Sequence, residues 1–204
     1  MFGVIRILVG ILVFLLCFIF VKCSKLLNKW PYYLVSGVVT ITIITVLAFI
    51  PLENAFISFE SAEQAYRYVI ADDLDIDTIV EGEISDLVVG RNGSSSTYLI
   101  IPKDKTGWKL GLGIDTKTKA QRIVNDIIIR VYQYKNSQDY FITVMNANGG
   151  PLDIEDANHS IFKTQTWENT VLDQTFVTYY ASVPNLSPQF WIAVNGQKIE
   201  NLLE

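Results

Sequence analysis

The chain has one histidine, His159, with Ser160 beside it, and two cysteines, Cys17 and Cys23. A Ser-His-Asp relay needs a serine that faces the imidazole across the fold; adjacent residues rarely do so, and no nucleophile-elbow motif is present. One histidine also rules out clustered-histidine metal sites and the HExxH pattern. Both cysteines fall in or beside the first apolar run, so thiol catalysis and cysteine-type zinc sites are excluded from the rest of the chain. His159 reads as a surface-loop histidine.

Asp72, Asp73, Asp75 and Asp77 form the densest charge run. Hard oxygen ligands suit calcium, which makes Asp73, Asp75 and Asp77 candidate ligands, with Asp153, Glu155 and Asp156 as a looser complement. A calcium loop of the EF-hand type starting at Asp73 fails, because Thr78 stands where Gly is required and Ile84 where the bidentate Glu belongs. Solvated acidic turns are the simpler reading. Glu81 and Glu83 invite an acid-base pair for glycoside cleavage, since a spacing of two in a strand places both on one face about 7 Å apart. Gly90 to Gly93 lacks the lysine and the following helix of a phosphate loop. Aromatics remain: Trp108, Trp167, Trp191, Tyr179 and Tyr180 are candidates for a binding groove, set against the plainer reading that they fill the core. No cofactor is expected.

Two unlike segments must position these residues. Residues 1–52 contain no acid and four bases, Arg6, Lys22, Lys25 and Lys29, whereas residues 53–204 hold the other 12 bases and all 21 acids, a net of −9. So acidic a segment repels nucleic-acid phosphate, and nucleic acid is excluded as a partner. In the first segment, 2–21 and 33–50 are apolar runs long enough to predict two transmembrane helices, with Trp30, Tyr32 and Tyr33 at an interface and Pro51 as the stop. The lysines of the short connection then predict a cytoplasmic loop, both termini outside, and a multi-pass cell-membrane protein whose C-terminal domain, 53–204, lies outside the cytoplasm. Ser36, Thr40, Thr42 and Thr45 are expected to bond back to their own helix.

After this segment, Ser61 and Gln64 have capping-box spacing, and Ala62, Ala65, Tyr66, Val69 and Ile70 repeat as one face of a short amphipathic helix. Strands are predicted at 83–89, 97–101, from Trp108, at 127–134, 140–145, 175–183, 190–194 and 197–202, most of them joined by short turns. Asn195-Gly196 between apolar runs is the strongest hairpin signal. Residues 117–125 fit helix or strand, and 152–167 read as a polar, irregular stretch. The expected fold is a two-helix transmembrane hairpin followed by a mainly-β domain, an antiparallel sandwich or curved sheet with one short N-terminal helix.

The run Phe59-Glu60-Ser61-Ala62-Glu63-Gln64-Ala65, followed by a meander containing Gly107-Trp108-Lys109, resembles the start of ectodomains in uncharacterised membrane-anchored proteins of Gram-positive bacteria. The resemblance covers about fifty residues and implies no activity and no functional residues. The leading expectation is a non-catalytic binding, sensing or accessory protein of the bacterial cell envelope, with the lipid bilayer and another envelope protein as partners. The alternatives are a carboxylate-dependent envelope hydrolase and an accessory subunit of a transporter.

Overall fold

A computed structural model describes residues 4–24, 29–48, 51–70, 74–92, 95–111, 115–169 and 173–203. The chain divides into two compact units, Met1–Ile57 and Ser58–Glu204, a boundary a few residues beyond the one expected at 52.

The first unit holds helices α1 (Val4–Cys23) and α2 (Trp30–Ala48), then a 3-10 turn at Leu52–Ala55. The helices approach closely at Gly10, where a Cβ would come within 2.7 Å of Ile44 Cγ1. Thr40, Thr42 and Thr45 each donate to the carbonyl one turn earlier, at 2.8 to 2.9 Å, so their hydroxyls are satisfied within α2. The predicted membrane crossing is corrected: among the described residues, no helix is long and apolar enough to span a bilayer. Residues 2, 3, 49 and 50 of the expected spans lie outside the described residues. The cell-membrane location, the multi-pass topology and the outward placement of the C-terminal domain all rested on that crossing and fall with it. Leu16, Phe20, Val38 and Ile41 are nevertheless exposed, and an apolar surface of this extent in water requires a cover.

The second unit is the expected mainly-β domain, built as three antiparallel sheets and one helix. The front sheet runs β1 (Asp75–Glu81), β2 (Ser85–Asn92), β3 (Ser95–Asp104), β4 (Gly107–Trp108). The middle sheet comprises β5 (Thr116–Val124), β6 (Ile127–Tyr134), β7 (Asp139–Asn146), β9 (Lys163–Asn169) and β10 (Gln174–Pro184), in the order β5-β6-β7-β10-β9. The back sheet orders β12 (Gln197–Ile199), β11 (Ile192–Val194) and β8 (Ile154–Asp156).

Helix α3 (Ala62–Val69) starts as the spacing predicts: Ser61 Oγ accepts from the Gln64 amide at 3.2 Å, and Gln64 Oε1 reaches back to the Glu60 amide. Its face of Ala62, Ala65 and Tyr66 packs on Val88, Leu99 and Ile101 of the front sheet. The opposite face of that sheet, Leu87, Val89 and Ile100, packs on Tyr132, Phe141 and Tyr180 of the middle sheet. Strands covered on both sides lose the alternation of a half-buried strand, which is why β2 and β3 read as apolar triplets, Leu87-Val88-Val89 and Leu99-Ile100-Ile101. The middle sheet's other face, led by Ile129, Ile142 and Val183, buries Ile192 and Val194 of the back sheet. Each buried aliphatic side chain contributes about 1.5–3 kcal/mol, so this aliphatic layer is the main store of stability.

Two polar devices fix the front sheet on the middle one. Asp139 is buried where β7 begins, and its carboxylate accepts from the amides of Glu83, Ile84 and Ser85 and from Ser85 Oγ, at 2.8 to 3.1 Å. This ties the β1–β2 turn to the middle sheet. The open edge of β1 is covered by β9, where Lys163 Nζ donates to the Ile79 carbonyl at 2.7 Å and Gln165 Nε2 to that of Asp77.

Candidate ligand-binding cleft

Among the described residues, a polar gap opens in the layer between the front and middle sheets, apart from the larger groove that Val80, Glu81, Ile161, Lys163 and Ser182 line at the β1 edge. The gap measures about 220 Å3 and is lined by Ser96, Tyr98, Arg130, Met145, Trp167 and Thr178. Strand register explains the grouping. Across the middle sheet Arg130 lies beside Thr143 and Thr143 beside Tyr180; one row on, Met145 lies beside Thr178, and Phe176 is paired with Trp167. Side chains alternate along a strand, so all of these share the front face.

The wall on the front sheet depends on a β-bulge. Ile76 pairs with Gly90 and Thr78 with Val89, which leaves Asp77 as an extra residue. The inserted residue shifts the parity of β1: Ile76 and Ile79 both turn toward α3, while Val80 joins the layer facing the middle sheet. Arg91 lies one position from Gly90, where a Cβ would collide with the Tyr66 hydroxyl on the α3 side, so its own side chain points the other way. There its Nε and Nη2 donate to Asp77 Oδ2 at 3.0 and 2.5 Å. The pair is mostly buried, and the guanidinium carbon sits 4.6 Å from the centre of the Trp167 ring. Trp167 also stacks on Phe176 at 4.5 Å and donates through Nε1 to Thr178 Oγ1 at 3.3 Å.

Behind these groups Tyr98 stacks on Tyr132 at 5.2 Å. Burial, followed by the neighbouring Tyr98, pushes the Tyr132 phenol up to about 12. Burial likewise raises Tyr180, with Tyr98 and Asp77 adding to the shift. The Tyr180 hydroxyl and Arg91 Nη1 are buried without a hydrogen-bond partner among the described residues. Buried polar groups are almost always satisfied, which sets these two donors apart from the rest of the layer.

The expected site residues are dispersed. Trp167 lines the cleft and Tyr180 lies beneath it. Trp108 donates to Asp86 Oδ2 at 2.5 Å, beside Lys103 Nζ at 3.1 Å from Oδ1, and borders a different groove of about 260 Å3. Tyr179 faces the back sheet, its hydroxyl accepting from the Leu152 amide at 2.8 Å. Trp191 is half-buried beneath Lys198 Nζ, 5.0 Å from its ring centre. Of the candidate calcium ligands, Asp73 lies outside the described residues, Asp75 is exposed at the start of β1, and Asp77 is committed to Arg91. Asp156 instead caps its own loop, accepting from the amides of Asn158 and Ser160. Among the described residues no three His, Cys, Asp or Glu side chains converge as a metal would require. Glu81 ends β1 and Glu83 lies in the turn beyond it, so the two do not share a strand face. His159 is exposed on the loop after β8.

Sequence reading missed Arg91, Ser96, Tyr98, Arg130, Met145 and Thr178. A usable signal lay in the polar members of otherwise apolar strands: Arg130 within Ile127–Tyr134, Thr143 within β7 and Thr178 within β10. The lining offers a guanidinium, hydroxyl groups, an indole and a thioether, with no carboxylate and no imidazole among them. Such a set has the donors and apolar surface to hold and orient a small molecule. No family model matches the chain, and no curated protein and no solved structure matches it significantly.

Proposed function

We propose that the Ser58–Glu204 unit is a binding domain without catalytic activity, and that the cleft between the front and middle sheets receives a small ligand. The observation that carries this reading is the polar gap itself: a sheet interface packed by Leu87, Val89, Ile100 and Phe141 opens onto Arg130 and three hydroxyl-bearing residues. Binding sites are concave, with a few placed polar groups on rigid elements, and every lining residue here lies on a strand. The mostly buried Arg91–Asp77 pair holds Trp167 in place, which supplies a preorganised wall. The test is a small-molecule fragment screen on the full chain, followed by protein-observed NMR. Perturbations concentrated on Tyr98, Arg130, Met145 and Trp167 support the reading; fragments that map only elsewhere, or none at all, overturn it.

A further inference from the structure

We infer that the ligand of this cleft is a small organic carboxylate, held through Arg130; the inference rests on the binding reading above and specifies its chemistry. Among the described residues that line the cleft, Arg130 alone carries a full charge. The second guanidinium in the layer, Arg91, is neutralised by Asp77 at 2.5 Å, so the field inside the cleft is that of Arg130. Arg130 engages Gln121 Oε1 through Nε, at 3.2 Å, and lies within hydrogen-bonding reach of the Tyr132 hydroxyl, so part of its five-donor fork is committed and the rest can meet a planar acceptor in the cleft.

The remaining groups favour the same sign. Ser96, Tyr98 and Thr178 each carry a hydroxyl donor at the cleft wall, and Thr178 Oγ1 already accepts from Trp167. Trp167 already stacks with Phe176 and Arg91, leaving its edge, the positive end of the ring quadrupole, for the cleft. A donor-rich site with one unopposed guanidinium matches an anion, and Met145 adds an apolar wall that an organic carboxylate uses and an inorganic oxyanion does not. A cation or a neutral acceptor-poor molecule would leave these donors unpaired, a strongly discriminating mismatch.

The experiment titrates the full chain with butyrate, butyramide, butylammonium and inorganic phosphate, following the Met145 methyl and Trp167 indole signals by NMR, and repeats the butyrate titration on Arg130→Gln and Arg130→Met. The expected result is butyrate bound at least roughly tenfold more tightly than butyramide or phosphate, no binding of butylammonium, and a loss of roughly tenfold or more for butyrate in both variants. The inference is overturned if butyramide, phosphate or butylammonium equals butyrate, or if either folded variant keeps butyrate affinity within about twofold of the parent. Discrimination among the four probes needs no variant, so a folding defect in either substitution leaves the test intact. If none of the four binds while other fragments still map to the cleft, the carboxylate assignment fails alone; if nothing maps to the cleft, the binding reading fails with it.

Discussion

The two faces of the middle sheet are built from the same strands and have opposite characters. Toward the back sheet, β6 and β7 present Ile127, Ile129, Val131, Ile142 and Val144, closed by Ile192, Val194, Ile199 and Leu202. Toward the front sheet the alternate residues of the same strands include Arg130, Tyr132 and Thr143. The first face is dry and interchangeable with many other aliphatic faces; the second places a charge, several hydroxyls and a cavity inside the fold. In this domain, the aliphatic core and the candidate cleft are separated by the two-residue period of a strand rather than by distance.

The separation can be broken from the back. Ile142→Ala removes a fully buried side chain from the aliphatic face and should cost about 2–5 kcal/mol in denaturant-induced unfolding. Its neighbour Thr143 points into the other layer, so the change should leave Trp167 and the cleft signals unaltered in the folded protein. A cost below about 1 kcal/mol would mean that this face is not the principal store of stability.

The next effect comes from the front. Asp77→Ala strands the Arg91 guanidinium among Trp167 and Tyr180. Loss of one partner of a fully buried pair costs about 3–5 kcal/mol. The two side chains here retain 11% and 14% exposure, which lowers the expectation to on the order of 2–3 kcal/mol. Replacing both partners, as Asp77→Ala with Arg91→Met, should recover most of that loss, because the stranded charge and not the absent attraction is the larger cost. A double variant as unstable as the single one would assign the effect to the β-bulge itself.

How much of this was legible depends on what each residue packs against. Ile127–Tyr134 and the strand Asp139–Asn146 follow from β-branched and aromatic runs, and Asn195-Gly196, with φ of 51° and 77°, is the primed hairpin turn its sequence predicts. The hairpin of β5 and β6 turns on Asn125-Asp126, also at positive φ, but the Lys117, Lys119 and Arg122 of an exposed edge strand hid it. Strand β1 was concealed by its aspartates and by the bulge, which breaks the period just where it had to be read. The helices of the first unit were legible as helices, while the crossing inferred from them was not upheld. Trp167 and Tyr180 could be named as candidates, but Arg91, Tyr98, Arg130 and Thr178 meet only through cross-strand register between distant segments, which no local pattern encodes.

Alkaline pH gives a smaller effect, confined to the front face. Tyr132 is neutral in the folded state up to about 12, against an ordinary value of 10.0. Its folded value is raised, so the stability it contributes is whole below pH 10 and is lost as pH climbs through the folded value, because the unfolded chain releases the proton first. The loss should reach on the order of 2 kcal/mol by about pH 12, with Tyr180 adding in the same direction. Tyr132→Phe should flatten the alkaline limb of the stability curve, whereas Ile142→Ala should lower the whole curve without changing its shape. An unaltered limb in Tyr132→Phe would show that the phenol is already ionisable in the folded protein.

The smallest change is the most discriminating between the two faces. Tyr180 is fully buried and its hydroxyl has no hydrogen-bond partner among the described residues. An unsatisfied buried hydroxyl is a cost, so Tyr180→Phe, which keeps the ring against Leu87 and Phe141, should be neutral or stabilising by up to about 1 kcal/mol. Removing a polar atom from an aliphatic core is trivially favourable; here it should come with a loss elsewhere, because the hydroxyl lies in the layer that opens onto Arg130 and Thr178. The measurement is a paired one, unfolding free energy together with butyrate titration on the same variant. Stability that holds or rises while affinity falls would show that the front face keeps a destabilising group for recognition. Stability that falls by 1 kcal/mol or more would instead reveal a hydrogen bond that the folded protein does make, and the contrast between the faces would then rest on Arg130 and the Asp77–Arg91 pair alone.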